Sequence, residues 1–195
     1  MKKIVITILV AALILFGASW ALQGTASRNA QEAHLWLMQT LLPGSESFVV
    51  VPYDGEDANI QSIHKADNGF IIETLSYGYA DNIRMLIGVS KEGTVTGLVV
   101  REAHETFGLG NKILTDTDFL AQFLNGSGSF EIATHGADAF SSATGTADAG
   151  SGETLEVDGI TGATVSSKAV ARSVNSAVAY VTGADVASSA TTWGG

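Results

Sequence analysis

The sequence predicts an α+β fold: an N-terminal transmembrane helix followed by one mainly antiparallel sheet domain with flanking helices. Three observations predict it. The uncharged run Ile4–Leu22 follows Lys2 and Lys3 and is just long enough to cross the hydrocarbon core of a bilayer as a helix. Between Phe48 and Arg101 short apolar runs follow one another, with turn signals at Asn68-Gly69 and Ser90–Gly93. That is a pattern of consecutive strands rather than of strands alternating with helices. After Lys168 the apolar residues change to a spacing of three to five, the period of a helix with one broad apolar face.

Composition bounds the rest. The chain has 195 residues, a formal net charge of −10 and a sequence pI near 4.6, with only ten Lys and Arg. A chain this acidic neutralises few phosphates, so nucleic acid is not an expected partner. There is no Cys, which excludes disulfides, cysteine-ligated iron–sulfur clusters and c-type haem attachment. The 22 Gly and two Pro suggest tight turns and packing on small residues.

Taken in order, residues 1–23 read as a membrane anchor. Lys2 and Lys3 place the N-terminus in the cytoplasm and Trp20 marks the far interface. A cleaved signal peptide is the competing reading; it would export the same remainder, but the Ala18–Ala21 region carries the bulky Trp20 where small residues are needed. Residues 24–44 form a linker helix from Ala26 to Leu42, with Leu35, Leu37, Met38, Leu41 and Leu42 apolar and Pro43-Gly44 ending it. Residues 45–182 form the domain. Its strands are Phe48–Val51, a run from Ile60, Gly69–Tyr79, Ile83–Val89 and Thr94–Arg101. Asp54–Asp57 is a turn without the spacing of a calcium loop. A short helix runs from Asp116 to Asn125, capped by Thr115 or Asp116, and Phe130–Thr134 and Leu155–Val157 are strands. Residues 136–153, almost wholly Gly, Ala, Ser, Thr and Asp, read as a flexible insertion, and 183–195 as a disordered tail.

Two segments carry chemistry. In Asp158-Gly-Ile-Thr-Gly-Ala-Thr-Val-Ser-Ser167, four hydroxyls (Thr161, Thr164, Ser166, Ser167) lie where a turn runs into the last helix. Unpaired amides and the positive end of the helix dipole make phosphate the natural guest there. Ordinary capping by Ser or Thr explains the same residues, and spacing alone does not decide. The second segment is His104-Glu-Thr-Phe-Gly-Leu-Gly-Asn-Lys112. Its Gly-x-Gly follows a strand, and backbone can approach a ligand closely there; a simple turn is the plainer account. His64, His104 and His135 show no motif linking them to a serine, so a hydrolase is unsupported.

The stretch D-G-I-T-G-A-T-V-S-S resembles the signature of the FMN-binding domain of the G subunit of the Rnf electron-transport complex. It is similar to that of the C subunit of the sodium-pumping NADH:quinone reductase. The upstream H-E-T-F-G-L-G resembles the family's H-x-E-T-P-G-L-G, with two departures: Phe107 stands where the family has Pro, and His104 directly precedes Glu105. The resemblance covers residues 60–182 and the anchor. It implies that Thr164 carries FMN through a phosphoester bond made by a dedicated flavin transferase. Asp158, Thr161, Gly162 and Ala163 would be what the transferase reads and what the flavin phosphate packs on. Glu105, Thr106, Gly108 and Leu109 would line the isoalloxazine or ribityl side. Lys112 would contact phosphate or a flavin carbonyl, or stay solvated.

The resemblance further implies a single-pass electron carrier on the extracytoplasmic side of the cytoplasmic (inner) membrane. It would relay electrons among the other subunits of an ion-translocating Rnf-type oxidoreductase, with no turnover of its own. Consistent with a flavin, the chain has no Cys pair and no Gly-x-Gly-x-x-Gly after a strand. A stand-alone exported FMN-binding module, a non-covalent binder of a phosphate-bearing ligand and a structural surface domain stay open as alternatives.

Overall fold

Strand alternation builds the centre of the molecule. In the computed structural model, which describes residues 28–108, 110–133 and 154–184, five strands form an antiparallel sheet in the order β1–β2–β3–β4–β5. They are β1 (Val49–Val51), β2 (Ile60–Ala66), β3 (Gly69–Tyr77), β4 (Asn82–Ser90) and β5 (Val95–Ala103). Each pairs with its neighbour in sequence, as the succession of turn signals predicts. The expected anchor (1–23), the insertion (136–153), Leu109 and the tail beyond residue 184 lie outside the described residues.

Register gives the sheet two different faces. Ile63, Ile72, Ile87 and Leu98 pair in succession across β2 to β5 and form one row of the main core, with Met85, Val89, Val95 and Val100. Helix α3 (Thr164–Thr182) covers this face with Val170, Val174, Ala177 and Val178. Three serines and an amide carry polarity across that junction. Ser173 donates to Ser76 (2.9 Å), Ser76 to Asn59 (3.3 Å) and Asn59 to Ser176 (3.3 Å). The opposite face is apolar at Ile71 and Leu86, both buried, and ionic at Glu73, Arg84 and Glu102.

The sequence predicts one sheet; the structure has a second. Strands β6 (Ser129–Ala133) and β7 (Thr154–Asp158) pair in parallel and apart from the first sheet. Parallel neighbours need a connection of a dozen or more residues, and 134–153 separate the two strands in sequence. The apolar pattern of a short strand carries no sign of its direction, so pairing mode was not legible. Helix α3 meets both sheets: the Asn175 amide accepts from Phe130 N–H (2.8 Å) and donates to Phe130 C=O (2.9 Å), as a neighbouring strand would. Between the sheets in sequence come a 3₁₀ turn (Gly110–Leu114) and the short helix α2 (Thr117–Ala121). Asp116 caps α2 by accepting from Phe119 N–H at 3.0 Å, one of the two predicted caps.

The chain divides into two units, Met1–Met38 and Gln39–Gly195. Helix α1 covers residues 28–41, within the predicted Ala26–Leu42, so its first part belongs to the first unit. Among the described residues no helix is long and apolar enough to cross a membrane.

Candidate functional site

The site is built around the start of α3. The chain leaves β7 at Asp158, whose backbone is held at both ends by one side chain. Asp158 N–H donates to Gln122 Oε1 (2.8 Å), and Gln122 Nε2 donates to Asp158 C=O (3.2 Å). Gly159 follows because a Cβ there would come within 2.7 Å of Ile132 Cγ2. Ala163 N–H then donates to Ile160 C=O (2.9 Å), which closes a four-residue turn. Gly162, at φ 79°, supplies the left-handed residue that the third position of a type II turn requires.

Ordinary capping by one of the motif's four hydroxyls is not what starts the helix. Ala163 occupies the N-cap and makes no side-chain cap bond. Ser166 and Ser167 lie inside the helix, both fully buried. Ser167 Oγ accepts from the buried Ile160 N–H at 3.0 Å. Ser166 Oγ donates to Glu105 Oε2 at 2.8 Å. Thr161 and Thr164 are exposed. The four hydroxyls therefore divide into two that fasten the motif and two that face solvent. Thr164 is the first helical residue, and the amides of Thr164, Val165 and Ser166 lie in the turn where no intrahelical acceptor exists. Ser167 N–H makes the first such bond, to Ala163 C=O at 2.9 Å.

Only a narrow face of α3 stays accessible. Thr164, Lys168 and Arg172 lie four apart along it, the first two exposed and Arg172 half-buried, and residues so spaced stack on one another. Arg172 Nη2 donates to Tyr77 C=O at 2.6 Å, and burial lowers its guanidinium from the ordinary value. Lys168 lies one turn after Thr164 on the same exposed face. A cation in the first turns of a helix opposes the dipole, which marks this placement as one that helix stability alone does not favour.

The glycine loop lies against the same turn of α3. Glu105 accepts from Tyr79 N–H (3.0 Å) and Ala80 N–H (3.3 Å) through Oε1 and from Ser166 through Oε2. Thr106 and Gly108 are exposed. Asn111 organises the loop: its Oδ1 accepts from Gly108 N–H (2.8 Å) and its N–H donates to Thr106 C=O (3.3 Å). Gly108 takes φ 78°, and Phe107 beside it is 92% exposed. Lys112 is exposed. It shares an open cleft of about 350 Å³ with Asp116, Asp118, Gln122, Asp158 and Thr161.

The structure thus brings Asp158, Thr161 and Lys112 to one cleft, and joins Glu105 to the turn that carries Thr164. Leu109 is outside the described residues. Sequence reasoning missed Ser166 as the partner of Glu105, along with Gln122 and Asn111. Of these only Asn111 had a local signal, an Asx residue directly after Gly-x-Gly.

A helix start that follows the parallel pair β6–β7, with exposed hydroxyls at Thr161 and Thr164 and a lysine one turn on, is a place where an anionic group can be accommodated. The family model described as the FMN-binding domain matches residues 78–179, from the end of β3 through nearly all of α3. The chain belongs to this family. Among curated proteins it is similar to the G subunit of the ion-translocating oxidoreductase complex of Haemophilus influenzae, 40% identical over 70 residues, 33% of this chain and 34% of that protein. The protein of the same name from Cereibacter sphaeroides is 31% identical over 120 residues, 54% of this chain and 52% of that protein. The matched stretch thus spans between about a third and about half of these relatives' length. Among solved structures, the C subunit of the Na⁺-translocating NADH-quinone reductase from Parabacteroides distasonis aligns with a TM-score of 0.44 and 16% identity, over 80% of this chain and 94% of that one.

Proposed function

We propose that this protein is a membrane-anchored electron-transfer component that carries FMN on Thr164 and serves an ion-translocating oxidoreductase of the Rnf type. Membership of the FMN-binding domain family and the names of the relatives from oxidoreductase complexes support the cofactor and the setting. The observation that carries the attachment point is the division of the hydroxyls. Ser166 and Ser167 are buried and bonded, whereas Thr164 is exposed at the first position of a 19-residue helix.

The donor set fits a flavin phosphate at that position. Thr164 lies in the first turn of α3 with the amides that have no intrahelical acceptor, and a phosphodiester keeps one negative charge for those amides and Lys168 to balance. The cleft on the Thr161 side is a poorer place for phosphate, because Asp116, Asp118 and Asp158 outnumber Lys112 on its walls. In maturation a bond forms between Thr164 Oγ and the flavin phosphorus. The hydroxyl would lose its proton, and the P–O–P bond of a flavin dinucleotide donor would break to release a nucleoside monophosphate, with a transferase holding the donor. Bound FMN supplies reversible electron transfer by its isoalloxazine ring. The chain's own residues hold the ester fixed, balance its charge and join it to the glycine loop. Thr164 is then a hydroxyl modified once, not a nucleophile that turns over.

Co-expression with a flavin transferase, followed by denaturing electrophoresis, tests the proposal. The wild-type band is expected to keep flavin fluorescence, Thr161→Val to keep it, and Thr164→Val to lose it. Fluorescence retained by Thr164→Val would move the attachment elsewhere. Flavin released on denaturation of the wild type would make the protein a non-covalent binder.

A further inference from the structure

We propose that Glu105 is a positioning residue: its carboxylate fixes the first turn of α3, and Thr164 with it, against the glycine loop and the β3–β4 turn. This rests on the reading of Thr164 as the flavin acceptor. Three donors from distant parts of the chain converge on this one side chain: Tyr79 N–H and Ala80 N–H on Oε1, Ser166 O–H on Oε2. Bonds to an ionised acceptor are shorter and stronger than neutral ones, and an ionised carboxylate can only accept. With both oxygens engaged, the group is oriented toward the protein.

Two glycines show that the surroundings are shaped to this carboxylate. A Cβ on Gly78 would collide with Glu105 Oε1. A Cβ on Gly110 would lie 2.6 Å from Glu105 Oε2 and 2.9 Å from Ser166 Oγ. Neither glycine has a positive φ, so neither is required by its backbone conformation; Gly110 leaves room for Glu105 and Ser166, and Gly78 for Glu105 together with Ile83 Cδ1 and the Asp81 carbonyl, which a Cβ would meet at 2.8 and 3.0 Å. Ser166 is fully buried and sits two residues after Thr164 in the same helical turn. Any shift of Ser166 is therefore a shift of Thr164 relative to Thr106 and Gly108, the exposed residues of the loop. Glu105 joins the two sequence motifs by setting their distance.

Four variants of the full chain, co-expressed with a flavin transferase, test this: Glu105→Ala, Glu105→Gln, Ser166→Ala and Gly110→Ala. Covalent flavin is read after denaturation. Amide hydrogen exchange of the flavin-free protein is read separately in peptides covering residues 79–80 and 163–167. Glu105→Ala is expected to lower flavin loading several-fold and to speed exchange in both peptides about tenfold, the effect of losing bonds to a charged acceptor. Gly110→Ala should do the same while deleting no hydrogen-bonding group. Ser166→Ala should lower loading and loosen 163–167 while leaving 79–80 protected. Glu105→Gln keeps an oxygen for the turn amides and an amide for Ser166 Oγ, so it should restore loading and protection. If Glu105→Ala does not fold, Ser166→Ala and Gly110→Ala carry the same test. Wild-type loading and wild-type exchange in these variants would overturn the proposal, as would a Glu105→Gln protein no better than Glu105→Ala. If the wild type carries no flavin at all, the acceptor reading fails, and the exchange data alone decide whether Glu105 ties the three segments.

Discussion

Ser167 shows how a hydroxyl next to a modification site can matter for stability instead of chemistry. It is fully buried, and its Oγ is the acceptor for the Ile160 N–H inside the turn that leads into α3. Ser167→Ala would leave that amide in the interior without a partner, which costs about 1–3 kcal/mol. Thr161→Ala, on the exposed side of the same turn, should change stability by less than about 0.5 kcal/mol. Urea unfolding of the flavin-free protein checks both; equal effects would mean that the Ser167 bond contributes nothing. The sequence displays all four hydroxyls within Thr161–Ser167 and a helix beyond them, so the turn-to-helix junction was legible. It cannot rank them, because the ranking depends on what each meets after folding. Glu105, which accepts from the Ser166 hydroxyl, is far away in sequence, and nothing local announces it.

At the scale of elements, the face of the main sheet turned away from α3 is divided between close packing and charge. Gly88 and Gly97 pair across β4 and β5, and both lie under the backbone of Leu41. A Cβ on Gly97 would come within 2.8 Å of Leu41 Cα, and Thr96 Oγ1 donates to Leu41 C=O at 2.6 Å. Gly97→Ala must therefore displace the chain at Leu41 or the strand itself, an overpacking that costs about 1–3 kcal/mol. A thermal midpoint equal to the wild type would show that this junction yields freely. Further along the same face, Arg84 bonds Glu73 at 2.9 Å and faces Glu102 at 3.6 Å. Burial by itself would raise the Glu73 carboxyl, but the Arg84 guanidinium and the Ser62 hydroxyl outweigh it and hold the carboxyl below its ordinary value. Glu73 in turn raises Arg84. A carboxyl depressed in the folded state stabilises the fold above its unfolded pKa, and this contribution is lost as pH falls through the folded value. Stability should thus decline on acidification below about pH 4.5, and Arg84→Gln should flatten that decline. An unchanged slope of unfolding free energy against pH in Arg84→Gln would remove Glu73 from the account. Alternation made the five strands of this sheet legible in order; the pairing Gly88↔Gly97 and the parallel pair β6–β7 were not, since register and strand direction are fixed by contacts between distant segments.

The whole molecule is organised by α3, which packs on both sheets and begins at the proposed acceptor. Its period was the clearest signal in the sequence, and the consecutive strands before it correctly gave a mainly antiparallel fold. The proposed attachment to a membrane rests on other residues. Ile4–Leu22 carries no charge, Lys2 and Lys3 precede it, and a charged chain follows. Burying such a run in hydrocarbon as a helix satisfies every backbone group internally, whereas leaving it in water exposes a large apolar surface. On the proposed anchoring, flanking lysines are expected to retain the N-terminus on the cytoplasmic side, with α3 and Thr164 on the opposite side. The full chain expressed in a bacterial host is therefore expected to stay with the membrane pellet through high-salt and alkaline washes. A chain beginning at residue 24 should be released by the first wash while keeping the same far-UV spectrum per folded residue. Protease added from outside to spheroplasts should digest the domain of the full chain. Recovery of the full chain in the soluble fraction would remove the anchor, and a mature N-terminus at or beyond residue 22 would replace it with a cleaved export signal; protection from the external protease would reverse the orientation.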